Sequence, residues 1–481
     1  MTVTSRLLTH LSGYGDGRFL GGTSGRNFTV VDPATGATLA ELPSYGARET
    51  ETLVAAAERA LERPIPLEQR VVLLRALADA QLAHRDELAR IITLENGKPL
   101  AEARGEVEYA AAFYHAAAEA TRALRPRTLE ARPRGLTWTV HARPAGVAGL
   151  ITPWNFPLAM LAKKLSGALA AGAPAVIKPA ELTPLTAIAL AHLVETIDLP
   201  PGMFNLVFGD APAIGRVLCE HPAVRVISFT GSTAVGKLLA AQAAPHVKRL
   251  ALELGGNAPF IVFDDAELDA AADQLMTTKF RCAGQTCVSA NRIYVHARVA
   301  AAFVERVAAR VDALTIGHGL EAGTAIGPMI DGRAVAKLTR LVDDALAHGA
   351  RVATSSRPTP GPRFVAPLVL TDVRPPMAIL REEAFGPVVP ISTFDDDDDV
   401  IRVANETEYG LAAYLFTRDA SRAERVAERL RFGHVAVNAG SGPTPEAPFG
   451  GMKQSGYGRE GGDEGVLEFA ELQTVASAGT S

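Results

Sequence analysis

Between Gly146 and Gly231 the chain alternates short apolar runs with helical stretches, and this most constrains its fold. Gly146-Val-Ala-Gly-Leu-Ile151, Ala175-Val-Ile177, Phe204-Asn-Leu-Val-Phe208 and Val224-Arg-Val-Ile-Ser-Phe229 read as buried strands. Apolar residues three and four apart predict helices over 159–171, 183–196 and 212–220, and another after Gly231. Strands separated by helices form right-handed crossovers and a parallel sheet, which binds ligands at the carboxyl ends of its strands. The fold class is therefore α/β.

A second α/β block is expected from Gly255 to about Gly440, with strands at Phe260-Ile-Val-Phe263, 291–296 and 434–438. Helices are predicted over 49–61, 67–94 and 100–124. Two stretches fit neither block. Residues 128–143, with Leu136-Thr-Trp-Thr-Val140, alternate like a strand, and 464–476 do the same. Exposed unpaired edges are a liability, so both read as an oligomerisation appendage. A length of 481 residues accommodates about three such units.

The net charge of −5 gives no sign of a nucleic-acid or anionic-membrane partner. No basic, then apolar, leader opens the sequence, and no apolar run is long enough to span a bilayer. Asp395 to Asp399 read as a solvated turn. Cys219, Cys282 and Cys287 cannot build a disulfide framework, which fits a reducing cytoplasm. No second Cys or His pair completes four ligands around Cys282 and Cys287, so no metal site is expected.

Lys279-Phe-Arg-Cys-Ala-Gly-Gln-Thr-Cys287 joins a helix expected over 268–280 to the strand beginning at Asn291. A cysteine there is either a small buried hydrophobe or a nucleophile. Gly284, Gln285 and Thr286 suggest a flexible polar approach to Cys287, and on these residues alone both readings stand. Glu253 lies between Leu252 and Leu254 at an apolar strand end, where a buried carboxylate needs a reason.

Seven motifs in order resemble the aldehyde dehydrogenase superfamily: Ile151-Thr-Pro-Trp-Asn-Phe-Pro157, Lys178-Pro-Ala-Glu181, Phe229-Thr-Gly-Ser232, Leu252-Glu-Leu-Gly-Gly256, Phe280 to Cys287, Glu383-Ala-Phe-Gly-Pro387 and Pro448-Phe-Gly-Gly-Met-Lys453. The resemblance implies Cys287 as nucleophile, Asn155 as oxyanion donor and Glu253 as the base that activates water. It implies a nicotinamide cofactor near Thr152, Trp154, Lys178, Glu181, Gly231, Ser232, Leu254, Glu383 and Phe385. No Gly-x-Gly-x-x-Gly follows the first strand. Instead Gly231 and Ser232 would offer amides and a helix end to the pyrophosphate, while Lys178 would bond the ribose hydroxyls. Glu181 would repel a 2′-phosphate, which favours NAD over NADP. The implied division is 1–121 with 144–253 for the cofactor, 254–440 for catalysis, and 122–143 with 455–481 for oligomerisation into a homodimer or homotetramer.

Within the superfamily, Ile151 to Met160, Lys178 to Pro184, Leu252 to Asp265 and Phe280 to Arg292 resemble succinate-semialdehyde dehydrogenases and related ω-semialdehyde enzymes. They hold the far carboxylate with arginines, of which one matches Arg281 while the other falls at Lys163. A helpful serine falls within Ser441-Gly-Pro-Thr-Pro445, most simply at Pro443, and Ser289 replaces a second, redox-active cysteine. Ala116 and Ala117 stand where bulky aromatics are usual, which would widen the substrate tunnel. A small anionic aldehyde is the expected substrate. The rivals are a CoA-acylating enzyme, against which Glu253 argues, and a non-catalytic relative, against which Cys287, Glu253 and Asn155 argue.

Overall fold

The computed structural model describes residues 4–21, 25–129, 136–440 and 442–478. Helix α1 (Leu100–Ala120) follows Pro99 and buries Ala103, Glu106, Val107, Ala110, Tyr114 and Ala117 at helical spacing. Strand β1 (Val147–Ile151) is buried throughout. Helix α2 (Ala159–Ala171) is also buried at every position and stops at Gly172, whose φ of +79° is a left-handed C-terminal cap. Strands β2 (Ala175–Lys178) and β3 (Val224–Thr230), helix α3 (Thr233–Ala243) and strand β4 (Arg249–Glu253) complete this part of the fold. Helix α4 (Leu268–Phe280) and strand β5 (Ala290–His296) belong to the second block.

The first sheet has eight strands in the order Gly456–Tyr457, β4, β3, β1, β2, Phe204–Leu206, Tyr14–Gly15 and Arg18–Phe19. The five from β4 to Phe204–Leu206 are parallel. Strand order reverses between β1 and β3, the switch point at which such sheets open a crevice. Ile151 pairs with Lys178 and Phe229, and Thr230 pairs with Glu253, so these chain ends share one edge.

The second sheet has seven strands: Arg351–Val352, Leu368–Thr371, Val388–Phe394, β5, Ala258–Val262, Ala412–Phe416 and His434–Val437. All but the first pair are parallel. Cys287 precedes β5, and four residues link Glu253 to Ala258. The carboxyl edge of the first sheet therefore meets the amino edge of the second, an inversion that the carboxyl-end rule does not anticipate for the second sheet.

Several local expectations change. Residues 67–94 form two helices, Leu67–Ala83 and Arg85–Asn96, because His84 takes a non-helical ψ of 22°. The aspartate run begins a helix instead of a turn: the Asp396 carboxylate accepts from the Asp399 amide at 2.9 Å, and acids in the first turn suit the positive helix end. Residues 464–476 are not one strand. A helix, Gly462–Leu467, precedes strand Ala470–Ala478, which pairs with Leu136–Pro144 beside Arg127–Leu129. Residues 130–135 lie outside the described residues. The tail from Gly456 to Leu467 joins the first sheet and packs near α1 and α2, leaving 470–478 in the three-stranded sheet. Among the described residues no helix is long and apolar enough to cross a membrane.

Candidate active site

After α4 the chain turns through Cys282 (φ 52°, ψ 37°), Ala283 (φ 54°, ψ 34°) and Gly284 (φ 77°), three successive left-handed residues. Non-glycine residues in this region carry strain that the surroundings must hold. They do so here. The Cys282 amide donates to Glu102 at 2.7 Å, the Gln285 side chain donates to the Cys282 carbonyl at 3.0 Å, and the Ile330 amide donates to Gln285 Oε1 at 2.9 Å. A Cβ at Gly284 would stand 2.3 Å from the Gly386 carbonyl oxygen. Gln285 and Thr286 are each only 1% exposed, so the approach to Cys287 is packed, with Gln285 hydrogen-bonded at both ends of its amide.

Cys287 itself is half-buried. Burial pushes its thiol up to about 12; Lys163 and Arg281 pull it down, while Glu253 and Glu383 push it further up. Cys282 is fully buried, with Sγ 3.5 Å from Asn96 Oδ1.

Asn155, in the loop after β1, donates its side-chain amide to the Gln285 carbonyl at 2.9 Å. A carbonyl only accepts, so the nitrogen must face it, and the second N–H of that group remains for the cavity. Glu253 closes β4 and is 4% exposed, with no hydrogen-bond partner on either carboxylate oxygen among the described residues. Burial, then the Glu460 carboxylate, raise its proton affinity well above the usual carboxylate range, against the pull of Lys163 and Lys164.

Cys287, Asn155, Arg281 and Lys163 line one cavity of about 380 Å³, with Phe156, Tyr109, Met160, Phe449 and Pro443. Helix α1 contributes Glu102, Gly105, Glu106 and Tyr109, one helical stripe. The lining is thus the first half of α1. Ala116 opens instead onto a separate surface cavity with Arg75, His115 and Glu119, and Ala117 onto a small pocket with Phe113 and Gly461; neither lines the cavity of Cys287, which corrects the expectation that they widen the tunnel. Pro443 lines the cavity and its carbonyl accepts from the Tyr109 hydroxyl at 3.0 Å; Ser441 lies outside the described residues.

Lys163 is 6% exposed and has no hydrogen-bond or ion-pair partner among the described residues. Its ammonium sits 4.4 Å from the Phe449 ring centre and 5.4 Å from that of Phe113. Burial alone would lower its proton affinity, but Tyr109, Glu460, Cys287 and Glu253 together raise it above the usual lysine value. Arg281 is exposed at the rim, its guanidinium 5.2 Å from the Phe156 ring centre.

At the sheet edge, the Lys178 ammonium pairs with Glu181 at 2.5 Å. Trp154 and Phe385 stack edge-to-face at 5.7 Å, and Phe385 holds a φ of +52°. Glu383 accepts from the Gly256 amide at 3.2 Å, and burial raises its carboxyl to about 7. The Gly231 amide donates to the Glu253 carbonyl at 3.0 Å, so it is not free for a phosphate as expected. Ser232 caps α3, accepting from Val235 at 3.4 Å, while Leu254 packs where Gly236 leaves room. Thr152 Oγ1 and Thr230 Oγ1 are buried along this edge without partners among the described residues. Unsatisfied hydroxyls beside a Lys–Glu pair and a helix start suit a polar ligand such as a dinucleotide.

Two pairs escaped the sequence reading. Lys164 donates to Ser228 at 3.1 Å and pairs with the buried Glu460; two adjacent lysines in a helix whose only other polar side chain is Ser166 were the available signal. Lys98 pairs with Glu106 at 2.5 Å, also entirely buried. Among the described residues no cluster of His, Cys, Asp and Glu could hold a metal.

The chain belongs to the aldehyde dehydrogenase family, whose model matches residues 19–475. It is 46% identical to a non-phosphorylating aspartate-semialdehyde dehydrogenase of Halomonas elongata, over 98% of this chain and 97% of that one. It is also 46% identical to an NADP(+) succinate-semialdehyde dehydrogenase of Escherichia coli, over 95% and 96%. The crystal structure of an oxidoreductase from Marinobacter aquaeolei superimposes with a TM-score of 0.97 at 51% identity, covering 99% of this chain and 100% of that one. The aldehyde dehydrogenase fold expected from the motifs is therefore the fold of this protein.

Proposed function

We propose that the protein oxidises a small anionic aldehyde, succinate semialdehyde or a close relative, to the carboxylic acid. The observation that carries this reading is the pair of cations, Lys163 and Arg281, without hydrogen-bond or ion-pair partners among the described residues and lining the same cavity as Cys287. A buried cation surrounded by aromatic rings is expensive unless an anion completes it. The two relatives named for semialdehydes of aspartate and succinate, both of which carry carboxylates, agree with this charge. Other anionic aldehydes of this size, such as glutarate or 2-oxoglutarate semialdehyde or sulfonated and phosphonated analogues, meet the same requirement.

In this mechanism Cys287 releases its thiol proton to water, the thiolate being favoured by Lys163 and Arg281, and attacks the aldehyde carbon, whose oxygen becomes an oxyanion that the free Asn155 N–H and the Cys287 amide receive. A bound nicotinamide cofactor supplies the hydride acceptor. Lys178, Glu181, Ser232, Glu383, Trp154 and Phe385, with Thr152 and Leu254, would hold it, Gly231 shaping the turn without offering its amide. The thioester left on Cys287 is hydrolysed by a water whose proton the ionised form of Glu253 takes, the raised proton affinity of this buried carboxylate making it the stronger base. A carboxylate in this place favours hydrolysis over transfer to CoA.

Glu181, paired with Lys178, supports NAD as the preferred cofactor, because a 2′-phosphate would meet its carboxylate. The three-stranded sheet exposes Leu472 (61%) and Val475 (41%), which supports its reading as an oligomerisation element. The test of substrate charge is Arg281→Ala and Lys163→Met, assayed with succinate semialdehyde and with neutral butanal. A KM rise of about tenfold or more confined to the acidic aldehyde is expected, as each charge-assisted contact is worth ~1.5–3 kcal/mol. Equal effects on both aldehydes would remove the anion site.

A further inference from the structure

The main chain of Asn155 is held by a buried charge cluster outside the motifs that name the site. The Lys98 ammonium donates to the Asn155 carbonyl at 2.8 Å and to Glu106 Oε2 at 2.5 Å. Asn96 donates its side-chain amide to the Trp154 carbonyl at 3.0 Å. Glu106 Oε1 accepts from the amides of Leu158 and Ala159, at 2.9 and 3.2 Å, and so caps the start of α2. Lys98 and Glu106 are 2% and 3% exposed, and Lys98 also lies 3.7 Å from the Phe156 ring centre. The oxyanion-site loop is thus pinned at Asn155 and after it by one ion pair, and before it by Asn96; the pair joins the turn after helix Arg85–Asn96 to α1.

We infer that Lys98 and Glu106 are positioning residues for the oxyanion site: their ion pair fixes the Asn155 backbone so that one side-chain N–H faces the reacting oxygen. The other N–H is already committed to Gln285, so the direction of the free one depends on where the main chain stands. A buried salt bridge is a poor source of stability compared with apolar packing of the same volume, whereas it fixes direction. Sub-ångström placement is what an oxyanion donor requires, and a misplacement of about 1 Å costs on the order of a hundredfold in rate. The ring of Phe156 carries Lys98 at one contact and Arg281 at another, so the same pin also bears on the rim cation.

The inference rests on Cys287 and Asn155 having the roles proposed above. Lys98→Met, and Lys98→Met combined with Glu106→Gln, which leaves no buried charge unpaired while Gln still accepts from α2, are compared in the wild-type and Asn155→Ala backgrounds. The expected result is a fall in kcat of about 10- to 100-fold for succinate semialdehyde with NAD. Hydrolysis of p-nitrophenyl acetate, which also passes through an oxyanion on Cys287, should fall in parallel. Alkylation of Cys287 by iodoacetamide, which forms no oxyanion, should change less than about threefold. In the Asn155→Ala background the Lys98 and Glu106 changes should cost almost nothing more, the non-additivity of residues acting through one group. Additive losses, or alkylation slowed as much as ester hydrolysis, would show a merely structural role and overturn the inference. An Asn155→Ala enzyme of undiminished kcat would instead overturn the reading of Asn155 itself.

Discussion

The side-chain amide of Asn155 and the carbonyl of Gln285 meet at 2.9 Å, tying the loop after the first central strand to the loop that carries Cys287. One hydrogen bond thus sets the oxyanion donor and the nucleophile in a common frame, although 130 residues separate the two partners. Removing the donor while keeping the fold should affect the transition state more than the substrate. Asn155→Ala is expected to lower kcat by about 10²–10³ with little change in KM, measured by steady-state NAD reduction.

Glu253 gives two separable predictions. Glu253→Gln cannot take a proton from water, so NADH should appear as a burst of about one per active site followed by slow turnover, read in a stopped-flow spectrophotometer. An unchanged steady-state rate would place the base elsewhere.

The same residue bears on stability. Its proton affinity is raised in the folded state, mainly by burial, so the folded chain holds a proton that the unfolded chain releases above the ordinary carboxylate range. Stability is therefore lost as pH rises from about 4.5 through the raised value. Glu253→Gln should melt higher than wild type at pH 8, with the gain shrinking towards pH 5.

Cys287 in the free enzyme should behave as a poorly ionised thiol, since burial lifts it to about 12. Alkylation by iodoacetamide should rise close to tenfold per pH unit between about pH 6 and 9. Lys163→Met removes a cation that favours the thiolate and should slow alkylation at each pH. A plateau below pH 8 in the wild type would contradict this account.

Glu181→Ser should raise kcat/KM for NADP by about tenfold or more relative to NAD, because it removes a carboxylate from the place where the 2′-phosphate would stand. A preference for NADP in the unaltered enzyme would overturn the cofactor assignment.

Much of this architecture is legible in the chain because local pattern and tertiary role agree. Helices Ala159–Ala171 and Leu268–Phe280 appear at the bounds that apolar spacing predicts. The seven motifs mark sheet edges and loops where backbone geometry permits few substitutions, as at Gly284 against Gly386. Features that depend on distant partners were not legible. Lys98 and Glu106 look like ordinary charges until the fold buries both, and the three left-handed residues before Cys287 look like a flexible approach until Glu102 and Gln285 are seen to hold them. Which half of helix Leu100–Ala120 lines the cavity likewise depends on its crossing of Ala159–Ala171, which no local pattern encodes.

The nucleophile is tested most directly by stopping the reaction at its covalent stage. Glu253→Gln enzyme mixed with NAD and succinate semialdehyde, quenched in acid and digested, should carry one succinyl group on the peptide containing Cys287, in proportion to the NADH burst. A burst of NADH without that adduct, or an adduct on Cys219 or Cys282, would contradict the assignment of Cys287.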